Sequence, residues 1–347
     1  MTRKPKGNKG NSNKRTVMLI VAAVMLAAVA LGLWSVFAIE AKSTAAIRIP
    51  RGATEQMLRD SIEKYYGKDY ARSVMRVVKM HRPDLTERYG MYEIKKGTSA
   101  LRAGRKLARG GQTPVKIVIN GFRMPDEMRE RIAAKMDFPA DSLEALMSDK
   151  ALMARYGLTP DQASALFLND TYELYWNSSP RELIEKIGKN YNKVWNEKRR
   201  SQAARLGMTP AEVMVICSIV DEETNAADEK GRVGRLYINR LKKGMRLQAD
   251  PTVRYAVGDF TIKRVTEDHL RTESPYNTYR HEGLPPGPIR TVGVATIDAV
   301  LNSQPSADLY MCASDDFSGR HLFASGFAEH KANAGRYRKA LDAKGIH

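Results

Sequence analysis

Hydrophobic and polar positions fall into two regimes along this chain. One long uncharged run lies near the start, and short segments of changing period follow. Thr16 to Ile39 holds 24 residues without a charge. At about 1.5 Å rise per residue, such a helix spans a hydrocarbon core of roughly 30 Å. The apolar region of a cleaved signal peptide is shorter, about 7–15 residues. Trp34 and Phe37 stand near one end, where interfacial aromatics sit. Ala46-Ile-Arg-Ile-Pro50 then alternates as a strand does. Thr54 can cap a helix through Ile62, and Tyr70 to Met80 reads as a second helix closed by His81-Arg-Pro83. Tyr89 to Ile94 is a strand, and Gly97-Thr98 leads into a third helix ending at Gly110-Gly111. Val115 to Ile119 is the next strand. Met124-Pro-Asp-Glu127, Thr159-Pro-Asp-Gln162 and Ser179-Pro-Arg-Glu182 open helices, the last two in Ser/Thr-Pro-x-Glu/Gln caps. A basic tail through Lys198, Arg199 and Arg200 continues the last of these, as a solvated face.

The pattern peaks at Thr209-Pro-Ala-Glu-Val-Met-Val-Ile-Cys-Ser-Ile-Val-Asp-Glu-Glu-Thr224. Thr209 caps, Pro210 suits the first helical position and Glu212 completes a capping box. The run after them is almost wholly apolar and ends in Asp221, Glu222 and Glu223. Ile216, Ile219, Val220 and Glu223 share one stripe, so Glu223 sits where the core-facing stripe ends and its two neighbours point elsewhere. A carboxylate placed there loses solvation, its pKa rises, and it can serve as a general acid near neutral pH. On this helix alone, a solvated acidic helix end remains the blander alternative.

These segments predict an α+β protein. Residues 1–15 form a basic, disordered tail, 16–39 a single transmembrane helix, 45–110 a small α+β unit and 115–347 a larger mixed domain. Tyr65, Tyr66, Tyr89 and Tyr92 in the small unit can stack on sugar rings or fill its core. The net charge of +18 suggests an anionic partner: nucleic acid, anionic lipid or an acidic glycan. Arg3, Lys4, Lys6, Lys9, Lys14 and Arg15 precede the span and only Lys42 closely follows it, which puts the N-terminus in the cytoplasm and the rest outside. That topology removes nucleic acid as the main partner. Cys217 reads as a small core hydrophobe, and a disulfide with Cys312 is possible but unsupported. His321 and His330 are too isolated to argue for a metal, and no P-loop, dinucleotide fingerprint or Gly-x-Ser-x-Gly elbow occurs.

Beyond Glu223 the sequence is dense in polar residues and tight turns. A Pro/Gly-rich loop holds its backbone rigid and can fix side chains in place. Gln248, Tyr276, Asn277 and Thr278 are uncharged hydrogen-bonding groups of the type that reads sugar hydroxyls and acetamides. Ordinary loop closure is the alternative, and it suits Asp250 before Pro251 best.

Ser218-Ile-Val-Asp-Glu-Glu-Thr224, Tyr237-Ile-Asn-Arg240, Gly244-Met-Arg-Leu-Gln-Ala-Asp-Pro-Thr-Val253, Tyr276-Asn-Thr-Tyr279 and Gly283-Leu-Pro-Pro-Gly287 closely resemble, in order and spacing, the endolytic murein transglycosylases of the YceG-like family. A terminal match at His321-Leu-Phe323 and His330 extends the resemblance over roughly residues 210–337. Residues 45–110 resemble the family's LysM-like subdomain more weakly, and the single span also fits. Asp221-Glu-Glu-Thr stands where many members have Glu-Lys-Glu-Thr, which leaves Glu223 on the family's catalytic position. Asn169-Asp-Thr-Tyr172 departs from the family's Pro-Asp-Thr and is kept out of the site.

The resemblance implies a peptidoglycan lytic transglycosylase in the cytoplasmic (inner) membrane, with its catalytic domain on the periplasmic side. Glu223 alone acts as acid and base, with no cofactor and no metal. Gln248, Asp250, Tyr276, Asn277 and Thr278 are the candidates for positioning the sugars, and a carboxylate partner at Asp250 would make the enzyme a hydrolase instead. Peptidoglycan glycan strands are the implied substrate, peptidoglycan synthases a partner implied by the resemblance only, and termination of nascent strands the implied role. The rival reading is a non-enzymatic wall-binding scaffold, against which the presence of Glu223 speaks.

Overall fold

The computed structural model describes residues 9–344. The uncharged run forms helix α1 (Lys9–Phe37), with Met18 73% and Trp34 64% exposed. It is long and apolar enough to cross a membrane. The expected disordered tail is corrected in part, because residues 9–15 already belong to α1. Once an apolar run has nucleated a helix, each added residue gains one hydrogen bond for one residue fixed. Residues 1–8 of that tail lie outside the described residues.

The chain divides into two units, one running to Val115 and taking in Tyr175–Asn177, the other holding Lys116–Leu174 and the chain from Ser178 on. In the smaller unit, β1 (Ala45–Ile49), α2 (Glu55–Tyr66), α3 (Lys68–His81), β2 (Gly90–Ile94) and α4 (Ala100–Ala108) follow the expected order. β1 and β2 pair antiparallel with Ile47 opposite Tyr92. Alternation puts Ile47, Ile49, Tyr92 and Ile94 on the inner face, against Leu58, Ile62, Val74, Val78 and Leu107. Tyr66 and Tyr92 are core residues, and the Tyr66 hydroxyl donates to the carbonyls of Ala45 and Ile94 at 2.8 and 3.0 Å.

β3 (Val115–Ile119) carries the chain into the larger unit and pairs with β4 (Asp170–Leu174). Between them come α5 (Pro125–Ala133), α6 (Asp141–Met147), α7 (Lys150–Ala154) and a short 3-10 helix, Pro160–Leu166. The capping box at Thr159 thus opens a tight 3-10 turn rather than an α-helix, because a cap specifies a start and says nothing of length. After α8 (Pro180–Val194) the predicted continuous basic tail breaks, and Asn196 caps a separate α9 (Glu197–Leu206). Its basic face is partly docked: Arg199 pairs with Asp298 at 2.7 Å and donates to the Val194 carbonyl.

α10 (Pro210–Glu223) runs through the core. Its capping box is intact, and every residue from Val213 to Val220 is buried. α11 (Lys230–Lys242), α12 (Asp250–Val257) and α14 (Val294–Leu301) pack around it, with the short α13 (Glu267–Leu270) on the connection between the last two. β5 (Tyr310–Ala313) and β6 (His321–Ala324) form an antiparallel hairpin covered by α15 (Phe327–Ala343).

One serine fastens the Pro/Gly-rich loop to this helix. Ser218 is fully buried, donates to the Val215 carbonyl at 2.7 Å and accepts from the Ile289 amide at 3.0 Å. Nearby, a Cβ on Gly287 would come within 2.0 Å of the Asp161 carbonyl oxygen, so only glycine lets the two backbones meet. Replacing Ser218 with Ala leaves a buried N–H without an acceptor. The expected loss is about 1–3 kcal/mol in urea unfolding, and an unchanged midpoint would show that the loop does not depend on this bond.

Candidate active site

Three acids end α10, and their surroundings differ sharply. Asp221 Oδ1 accepts from Lys230 Nζ and from Thr296 Oγ1, both at 2.5 Å. Glu222 takes a bidentate pair from Arg123 at 2.8 and 2.9 Å and a further bond from Arg290 at 2.8 Å. Both side chains are only 8% exposed. The acidic end is therefore a pair of buried ion clusters and not a solvated terminus. Removing Lys230 would leave Asp221 an uncompensated buried charge, whereas Glu222 keeps one arginine if the other is lost.

Glu223 makes no ion pair among the described residues. Its Oε1 accepts a hydrogen bond from the Tyr237 hydroxyl at 2.6 Å. Loss of solvation pushes its pKa up to about 7, the Tyr237 bond opposes the rise, and the charge of Asp250 adds to it.

Glu223 lines a cavity of about 410 Å³, within the usual range for small-molecule sites. Tyr237 and Arg240 reach it from α11, Gln248 and Asp250 from the start of α12, and Tyr279 from the loop beyond. The opposite wall is the hairpin and α15, with Tyr310, His321, Phe327 and His330. The ring of His330 stacks on Tyr310 at 5.3 Å between centroids. Glu229 holds His321 through its backbone amide at 2.9 Å and its Nδ1 at 3.2 Å.

The predicted positioning residues fall into two groups. Gln248 lines the cavity at a backbone φ of 52°, with its side-chain carbonyl held by Arg240 Nη2 at 2.6 Å. Arg240 also donates to the carbonyls of Arg246 and Leu309, each at 2.8 Å. Asp250 does more than close a turn: it is the first residue of α12, faces the cavity and accepts from the Tyr279 hydroxyl at 2.6 Å.

Tyr276, Asn277 and Thr278, expected to position the sugars, are not among the residues that line this cavity. Tyr276 packs on Tyr255 at 4.6 Å between centroids. Asn277 is fully buried and gives both amide hydrogens to the carbonyls of Leu270 and Thr272. Thr278 accepts from the Ala249 amide at 3.0 Å and shares a bond with Thr252. Their polar atoms are spent on holding the loop, and Tyr279 is the residue of that motif that reaches the cavity.

Tyr237, Arg240, Tyr279 and Tyr310 were not singled out from sequence. The first three lie inside recognised motifs, and that was their only signal. Asn169 stays out of the cavity but anchors it from behind, accepting from the Gly121 amide and the Thr291 hydroxyl at 3.0 and 2.7 Å, beside Arg290. Cys217 and Cys312 are both free thiols. No three His, Cys, Asp or Glu side chains gather as a metal site among the described residues.

Comparison with known proteins agrees with the resemblance. A profile of the YceG-like family matches residues 47–336. The endolytic murein transglycosylase of Bacillus subtilis (strain 168) is 30% identical over 168 residues, which are 48% of this chain and 46% of that protein. The enzyme of the same name from Streptococcus pneumoniae serotype 2 is 27% identical over 134 residues, 38% of this chain and 24% of that protein. The matched stretch thus spans less than half the length of these curated relatives. A crystal structure of a YceG-like protein from Listeria monocytogenes is similar at a TM-score of 0.54 and 26% identity, covering 84% of this chain and 99% of the other.

The raised pKa of Glu223 has a thermodynamic consequence. Between about pH 4.5 and 7 the folded chain keeps this proton and the unfolded chain has lost it. The contribution of this group to stability therefore falls as pH rises through that window, by on the order of 3 kcal/mol, and levels off above it. Urea unfolding of the wild type and of Glu223→Gln across this range should show the component in the former and not in the latter. Tyr237→Phe removes a bond to the carboxylate and should raise the Glu223 pKa further, as read by carboxyl ¹³C titration.

Proposed function

The chain belongs to the YceG-like family, and from that premise we propose that it is a membrane-anchored lytic transglycosylase that cuts peptidoglycan glycan strands internally. The observation that carries the proposal is Glu223, the one acid of its helix end without a cation, half-buried in a cavity and bonded to Tyr237. A carboxyl group in that state is suited to give a proton to a leaving oxygen near neutral pH.

In the proposed reaction the strand lies with an N-acetylmuramic acid–N-acetylglucosamine β-1,4 linkage beside Glu223. The Glu223 carboxyl proton passes to the glycosidic oxygen as the C1–O4 bond breaks through an oxocarbenium-like state. The carboxylate so formed takes the proton of the muramyl 6-hydroxyl as its oxygen bonds to C1. The products are a free 4-hydroxyl on the N-acetylglucosamine side and a 1,6-anhydromuramyl end. Glu223 is protonated again and no water is consumed. Gln248, Tyr279 and the Tyr310–His330 stack supply hydrogen bonds and a ring face for the sugars. α1 anchors the chain with its N-terminus in the cytoplasm and everything from Glu40 onward outside, where the α+β part of the smaller unit can hold glycan. Termination of nascent strands beside a peptidoglycan synthase is the role the proposal assigns.

A hydrolytic outcome has one observation in its favour: Asp250 lines the same cavity as Glu223 and could direct a water to C1. Product analysis decides between the two. Full-length protein in detergent, incubated with glycan strands, should release anhydro ends, lighter than reducing ends by one water. Glu223→Gln should lower the rate on the order of 10²–10⁴-fold. Reducing ends would establish hydrolysis, and no cleavage by folded protein that still binds glycan would establish a scaffold.

A further inference from the structure

Where α1 ends, the chain is stitched directly into the smaller unit. The Ala38 amide still bonds within the helix, to the Trp34 carbonyl at 2.8 Å. The next residues already pair elsewhere: Ala100 donates to the Ile39 carbonyl at 3.0 Å, and Glu40 bridges Ser99. Ala41 donates to Thr98 at 3.0 Å and accepts from the Gly97 amide at 2.8 Å. The helix exit, the turn after β2 and the start of α4 therefore form one knot, with no free linker between them.

That knot is ringed by cations. Lys42 follows Ala41, Lys95 and Lys96 precede Gly97, and Arg102 lies two residues beyond Ala100. With successive Cα atoms about 3.8 Å apart, each stands within two residues of a bond at the exit. All four are exposed, and none makes an ion pair among the described residues. Glu40 is the acid in the knot, and Arg105 follows one turn along α4. Counting charges along the sequence finds only Lys42 beside the span; the fold adds the other three.

We propose that Lys42, Lys95, Lys96 and Arg102 bind the phosphate headgroups of anionic lipids on the face where α1 leaves the bilayer, and so seat the smaller unit on the membrane. The inference rests on the reading of α1 as a membrane anchor. The exposed apolar side chains of α1 put a lipid surface beside the ring. The attraction of such a surface dies away within a Debye length, roughly 8–10 Å at ordinary salt, so only cations held at the exit feel it. These four are held there outside any ion pair among the described residues, with Glu40 the acid between them. Acidic groups of the wall have no comparable reason to meet this spot.

The test uses the full chain in lipid nanodiscs of phosphatidylcholine, with and without phosphatidylglycerol, read by hydrogen exchange over residues 94–102. Exchange should slow several-fold in the anionic discs. High salt should abolish the difference, as should the triple variant Lys95→Gln, Lys96→Gln, Arg102→Gln. Equal exchange in both lipids overturns the proposal, and the salt series on the wild type decides it even if the variant misfolds. Slowing by soluble peptidoglycan fragments but not by anionic lipid overturns it in favour of a wall contact. A chain that does not copurify with the discs overturns the anchor reading as well, whereas glycan cleavage is assayed independently of lipid.

Discussion

Glu223 keeps a raised pKa in a basic protein, at a helix end where a cation beside it would cancel the rise. The structure meets this constraint by spending its cations on the neighbours. Lys230 takes Asp221, and Arg123 and Arg290 take Glu222. Glu223 is left with a phenol, which orients a carboxyl group without neutralising its charge. Asp250 is held nearby by Tyr279, and its charge adds to the rise in the Glu223 pKa. The arrangement of α11, α12 and the loop to Tyr279 around α10 can be understood as what this allocation requires.

Much of this was legible in the sequence because it is local. The capping box, the Pro at the first position and the apolar run define α10, and a 3.6-residue period suffices to separate Glu223 from Asp221 and Glu222. The two strands of the smaller unit were legible from alternation in the same way, though not their pairing. Which residue of the later loop lines the cavity was not, because Asn277, Thr278 and Tyr279 are all polar and lie in one tight turn. Which of them faces the cavity is set by Ala249, Thr252 and Leu270, contacts some 7–29 residues away that no local pattern encodes. Tyr237 lies on an amphipathic helix whose orientation against α10 comes from packing on α14. The break at Asn196 and the cations around the exit of α1 are likewise long-range facts.

The loop motifs act chiefly as a frame. Ser218 secures the Pro/Gly-rich loop, Asn277 closes the turn before Tyr279, and Asn169 fixes the segment carrying Arg290. Each is a fully or partly buried polar group with its partners inside the protein, and such groups define one geometry because any other leaves them unsatisfied. The cavity itself needs few side chains of its own beyond this frame.

The clamp on Glu222 joins chain segments 99 and 68 residues away from it. Long-range closures of this kind form late, since their loop entropy must be overcome first. During synthesis, α10 emerges well before Arg290 and the hairpin that walls the cavity. Until they arrive, Glu222 lacks one of its two arginines and the cavity lacks a wall. The surroundings that raise the Glu223 pKa are thus a property of the completed domain, and a partly made chain does not yet hold them.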